Sequence, residues 1–108
     1  MRHSPQLDEE FEEKICPSRF LGYNRDHLGI FLLSRDMLKQ AEIQFRRAVY
    51  LNPYETVFIK HLSWCLYKQG NLEESLELIN LFLKKCQGDE EGEKIRGIIK
   101  SRISGEKT

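Results

Sequence analysis

Proline, cysteine and tryptophan are scarce in this 108-residue chain, at three, three and one. Few prolines leave room for helices, and Pro5, Pro17 and Pro53 each fall outside or at the start of an apolar-periodic segment. The cysteines, Cys16, Cys65 and Cys86, are odd in number and form no C-x-x-C pair. That excludes a paired disulfide framework and points to free thiols in a reducing cytoplasm. Charge of one sign is not in excess: 17 Lys and Arg meet 17 Asp and Glu. Without a basic surplus, a nucleic-acid partner is not expected. The longest apolar run, Leu28-Gly29-Ile30-Phe31-Leu32-Leu33, is far shorter than the roughly 20 residues that span a bilayer, so membrane insertion is not expected. Asp8, Glu9, Glu10, Glu12 and Glu13 occupy the place where an export signal would be basic and then apolar. The glycines are scattered and make no phosphate-cradling loop.

What is present is globular. Hydrophobic residues are 40% of the chain and charged residues 31%, enough for one core in a chain of this length. The apolar spacing is helical nearly throughout, with no alternation of the strand kind. Leu7, Phe11 and Ile15 make one stripe on a short acidic helix over Gln6 to Ile15, which Cys16-Pro17-Ser18 breaks, with Ser18 free to cap the next segment. The second segment, about Arg19 to Leu33, gathers Leu28, Phe31 and Leu32 on one arc. The third starts near Asp36 and ends at Leu51, with Leu38, Ala41, Phe45, Ala48 and Val49 in line. Asn52-Pro53-Tyr54-Glu55 predicts a helix restart, with Asn52 as cap, Pro53 in the first helical position and Glu55 closing a capping box. The fourth segment then runs to Lys68 with Phe58, Leu62, Cys65 and Leu66 inward, and Gln69-Gly70-Asn71 stops it. Asn71 caps the fifth, which carries Leu72, Ser75, Leu76, Ile79, Phe82 and Leu83. After the turn Gln87-Gly88-Asp89, the last segment, Glu90 to Ile103, has the stripe Ile95, Ile99 and Ile103. Ser104 to Thr108 is a polar tail.

A shift of 34 residues lays the chain on itself. His27 meets His61, Leu28 meets Leu62, Leu32 meets Leu66, Leu38 meets Leu72, Ala41 meets Ser75, Phe45 meets Ile79 and Val49 meets Leu83. A period of this length is the mark of stacked helical hairpins. The stretch Gly22 to Glu55 resembles a tetratricopeptide repeat, with Leu28-Gly29, Leu32, Ala41, Phe45, Ala48 and Pro53 in the places that family reserves for its signature residues. Arg25 stands for the leading Trp and Leu32 for Tyr. Thr56 to Asp89 resembles a second copy, departing at Ser63 for Gly, Phe82 for Ala and Gln87 for Pro. Glu90 to Ile103 resembles the first helix of a third, with Gly97 at the close-packing position. The resemblance implies an all-α, right-handed superhelix of antiparallel hairpins. Its parts would be an acidic helix and linker over 1–17, repeats over 18–55 and 56–89, and a capping helix with tail over 90–108.

Each hairpin segment has a second arc. It reads Tyr23, Asp26, Ile30 and Leu33 in the first copy, and Val57, Lys60, Trp64 and Tyr67 in the second. The two arcs coincide under the 34-residue shift, and the last helix adds Lys94, Ile98 and Ser101. By resemblance this arc lines a concave groove that holds another protein's helix or extended peptide, with Asp26, Lys60, Lys94 and Arg102 at its margins. The blander reading is that Leu7, Phe11 and Ile15 cover it, within one chain or in a homodimer. The Lys, Asn and Arg clamp by which one subgroup of the family holds acidic chaperone tails is absent, because its places read Asp26, Ile30, His61, Glu91 and Ile95.

Chemistry of other kinds is poorly supported. His27 and His61 lack the further ligands that a metal site needs, and they lack the thiolate environment and orienting group that catalysis with Cys65 would need. Arg46-Arg47 and Lys84-Lys85 read as cations at helix ends, with a nucleic-acid patch a weak second. The expectation is a non-catalytic, cytoplasmic interaction module, a scaffold, adaptor or small chaperone, with no cofactor and no metal.

Overall fold

The computed structural model describes residues 21–107. Among them are five helices and no strand: α1 (Tyr23–Ser34), α2 (Leu38–Leu51), α3 (Thr56–Lys68), α4 (Leu72–Lys85) and α5 (Glu90–Lys107). The segment Gln6 to Ile15, the linker after it and the Ser18 cap lie outside the described residues. The chain divides into two compact units at Glu55–Thr56.

In unit 1, α1 and α2 form a hairpin. Gly22, in the left-handed region at φ 93°, precedes α1. The hairpin turn closes with Asp36 at φ 62°. The Met37 N–H donates to the Leu32 carbonyl at 2.9 Å and the Asp36 N–H to the Leu33 carbonyl at 3.0 Å. This is the double bond of a Schellman ending. The face of α1 that meets α2 differs from the expected arc. Gly22, Asp26 and Gly29 are buried and Leu33 half-buried, at helical spacing; of the expected arc Leu32 is half-buried, whereas Leu28 is 40% and Phe31 52% exposed. Size decides this. A Cβ at Gly29 would lie 2.6 Å from the Phe45 ring, so the helices close over the glycine and the larger neighbours are turned aside. Arg35 lies over the exposed Phe31 ring at 4.9 Å. On α2 the expected stripe is fully buried at Ala41, Phe45 and Ala48 and half-buried at Leu38 and Val49, and Leu51 is fully buried beside it.

The restart after α2 also differs. Asn52 ends α2, donating its N–H to the Ala48 carbonyl, and Glu55 turns back onto the Asn52 carbonyl. The helix begins only at Thr56, so Pro53 lies in the turn and no capping box forms. Glu55 instead accepts a hydrogen bond from the Tyr23 phenol.

Unit 2 packs α4 on α3 and α5 on α4. Phe58, Leu62, Cys65 and Leu66 are buried as their spacing requires, against Ile79, Phe82 and Leu83. Ser63 and Ser75, both fully buried, exchange bonds: each hydroxyl donates to the other's backbone carbonyl at 2.8 Å. Gly70, at φ 86°, ends α3 with the same two bonds as the first hairpin, Asn71 to Leu66 and Gly70 to Tyr67. Asn71 caps α4 without a side-chain bond to the backbone, reaching the Glu74 carboxylate at 3.3 Å instead. Asp89 caps α5, its carboxylate accepting the Gly92 N–H at 2.8 Å. The close-packing glycine of α5 is Gly92, where a Cβ would lie 2.8 Å from Phe82 and 2.9 Å from Leu83. Gly97, expected there, faces open space. Ile95 and Ile99 are buried and Ile103 half-buried.

Candidate functional site

The candidate residues fall in both units. In unit 1, Tyr23 is half-buried and tied to Glu55. The bond to that carboxylate, partial burial, and the charges of Glu55 and Asp26 all raise the phenol's pKa above its ordinary 10. Asp26, expected at a margin, is 2% exposed and so is not a rim residue. Leu33 is half-buried on the same stripe, and Ile30 is 41% exposed. His27 meets the Tyr23 ring edge-on at 6.2 Å.

Unit 2 assembles a more definite surface. Trp64 and Tyr67, three residues apart, share one face of α3, and their rings stack at 5.0 Å with 24° between planes. Lys68, one turn beyond Trp64, holds its ammonium 6.0 Å from the indole. Arg102 of α5 lays its guanidinium over Tyr67 at 5.7 Å. The order is cation, indole, phenol, cation, and each cation meets the electron-rich face of a ring. Beside Tyr67 an open depression of about 680 Å³ runs along α5, lined by Lys94, Gly97, Ile98, Ser101 and Arg102. Lys94, Ile98, Ser101 and Arg102 recur at helical spacing, so one face of α5 makes its wall. Ile98 is 42% exposed. The missing side chain at Gly97 keeps the floor low.

Lys60, expected at the rim of this arc, is buried inside unit 2. Its ammonium lies 2.7 Å from the Glu91 carboxylate, 3.5 Å from Asp89 and 5.2 Å from the Phe82 ring. Burial alone would lower its pKa, but the two carboxylates outweigh burial and raise it above the ordinary lysine value. Lys60 is therefore a latch between α3 and the start of α5. Val57 is half-buried at the first turn of α3.

One contributor, Lys68, escaped the sequence reading although it was legible, since positions 64, 67 and 68 are helical neighbours. Arg102 was expected at the margin, but its contact with Tyr67 was not legible, because it depends on how α5 lies within unit 2. Among the described residues the two cysteines are free thiols. Cys65 is a fully buried thiol near the Gln69 amide, and the Cys86 sulfur is 3.3 Å from the Thr56 hydroxyl. Among the described residues no group of three His, Cys, Asp or Glu could hold a metal, and no helix is long and apolar enough to cross a membrane. No protein-family model matches the chain and no curated protein matches it, so the tetratricopeptide resemblance rests on the residues that carry it.

Proposed function

We propose that this chain is a non-catalytic protein–protein interaction module, built of hairpins of the tetratricopeptide kind, and that unit 2 carries the docking face. The observation behind this is the stacked Trp64–Tyr67 pair, bracketed by Lys68 and Arg102 at the lip of an open depression. Two large rings held rigid by stacking lose little freedom when a partner covers them, which is what anchor residues need. The depression beside them takes an apolar side chain against Ile98 and Tyr67. Lys94 and Arg102 supply donors at its edge. Panning a library of displayed amphipathic peptides against the immobilised full chain tests this. Peptides enriched on the native protein should be lost on Trp64→Ala and Tyr67→Ala, with helicity by circular dichroism unchanged. Equal retention by both variants rejects the reading.

Pairing with a second copy has its own support in α1, which exposes Leu28, Ile30 and Phe31. Sedimentation at micromolar concentration separates the two readings: a clean monomer ends the second.

A further inference from the structure

The face of unit 2 around the stacked rings differs in charge from the chain as a whole. The chain is neutral, with 17 Lys and Arg against 17 Asp and Glu. Among the described residues the depression beside Tyr67 is lined by two cations, Lys94 and Arg102, and by no carboxylate. Lys68, beside Trp64, adds a third cation to the same face.

The acidic residues at the head of α5 do not cancel this charge. Glu91 and Asp89 are drawn to the buried Lys60, at 2.7 and 3.5 Å. Asp89 also accepts the Gly92 N–H. Glu93 is paired with Arg96. Glu90 stands outside the lining, in the first turn of α5, where the helix N-terminus offsets its charge. Lys94 makes no ion pair or hydrogen bond among the described residues, and Lys68 touches only its ring. Arg102 has partners of its own, so the two lysines are the charges open to a newcomer. Lys60 therefore does more than tie α3 to α5: by claiming Asp89 and Glu91 it leaves the positive charge beside Ile98 and Tyr67 standing. An apolar side chain seated there displaces water from around the lysines, and attraction between opposite charges grows as the local dielectric falls. A cationic segment meets repulsion at the same place.

We propose that the partner of unit 2 is an acidic segment of another protein, with a large apolar side chain set between carboxylates. The apolar side chain enters the depression against Ile98 and Tyr67, and the carboxylates meet Lys68 and Lys94. This rests on the reading of unit 2 as the docking face and adds the charge that its partner must carry.

The test pans three displayed peptide libraries against the immobilised full chain, alike in their apolar positions and carrying Glu, Gln or Lys at the polar ones. The Glu library should be retained most and the Lys library least. A peptide from the Glu library, and its counterpart with Gln in place of Glu, are then titrated into the full chain with Trp64 emission as the readout. Lys68→Gln and Lys94→Gln should each weaken the acidic peptide about threefold at low salt, the worth of one exposed ion pair, and leave the neutral peptide unchanged. Lys100→Gln removes the same charge from α5 outside the lining and should leave both unchanged. The preference for the acidic peptide should vanish in about 1 M salt, where charges are screened beyond about 3 Å. Capture that needs Trp64 but shows no preference for acid overturns this proposal and leaves the docking face standing. So does a preference that Lys68→Gln and Lys94→Gln leave intact. Displacement of the acidic peptide by a single-stranded oligothymidylate of equal charge, or by anionic-lipid vesicles, makes the face a general anion surface and overturns it too. Capture that survives Trp64→Ala, or no capture from any library, overturns both this proposal and the reading it rests on.

Discussion

Where the first hairpin closes over Gly29, with the Phe45 ring in the space a side chain would take, the second places Ser63 and Ser75 and lets them trade hydrogen bonds. Ser63 and Ser75 are the 34-residue equivalents of Gly29 and Ala41. Both pairs are small enough for close approach. They differ in how the contact is held: by shape over Gly29, where an aromatic ring fills the gap, and by directed bonds at Ser63, where the equivalent of Phe45 is only Ile79. The departure from the repeat pattern at Ser63 is thus a different solution to one steric problem. The lesson extends to the turns. Asp36 and Gly70 are equivalent, both left-handed, both making the same pair of bonds, yet only one is a glycine.

Making the hairpins more or less alike tests this comparison. The largest effect is expected for Phe45→Ala, which empties the space above Gly29 and should cost about 3–5 kcal/mol, read from urea unfolding by circular dichroism. Gly29→Ala drives a methyl into the same ring and should cost about 1–3 kcal/mol. Ser63→Ala should cost less, about 1 kcal/mol, because it removes one hydrogen bond and leaves the fit intact. A Ser63→Ala cost as large as that of Gly29→Ala would break the distinction between shape and bonding. The smallest effects belong to the turns: Asp36→Gly should stabilise by up to about 1 kcal/mol and Gly70→Ala destabilise by about as much.

Each unit also holds one group whose contribution is lost in alkali. Tyr23 in unit 1 and Lys60 in unit 2 both have raised pKa values. A raised folded pKa means the folded state holds its proton more tightly than the unfolded chain. Each group's contribution is therefore whole below its unfolded value, about 10 for Tyr and 10.4 for Lys, and is lost as pH climbs through the folded value. Stability measured by urea unfolding should decline above about pH 10. Tyr23→Phe should remove the phenol's share of that decline, and Lys60→Met the ammonium's.

Much of the fold was legible. Helix existence, the inward stripes of α2 to α5 and the stop at Gly70 follow from apolar spacing and glycine chemistry. The arc of α1 did not, because periodicity ranks Leu28 and Phe31 above Asp26 and Gly29, while packing depends on what fits against Phe45. The restart at Pro53 misled for a related reason: Asn52 and Glu55 suit a capping box, but Asn52 still ends α2 and Glu55 is taken by Tyr23. At the candidate site, Trp64 and Tyr67 could be placed together from their spacing alone. Lys60 could not be placed, since only the position of α5 shows that Asp89 and Glu91 claim it.

Trp64 is the chain's single tryptophan, so its fluorescence reports the docking face without a label. Titrating the full chain with a peptide selected on it should change the indole emission saturably, with the same midpoint as NMR shifts at Ile98 and Arg102. Arg102→Gln should weaken both together. A peptide that binds tightly by NMR while the indole emission and the α5 signals stay fixed would place recognition elsewhere and contradict the account.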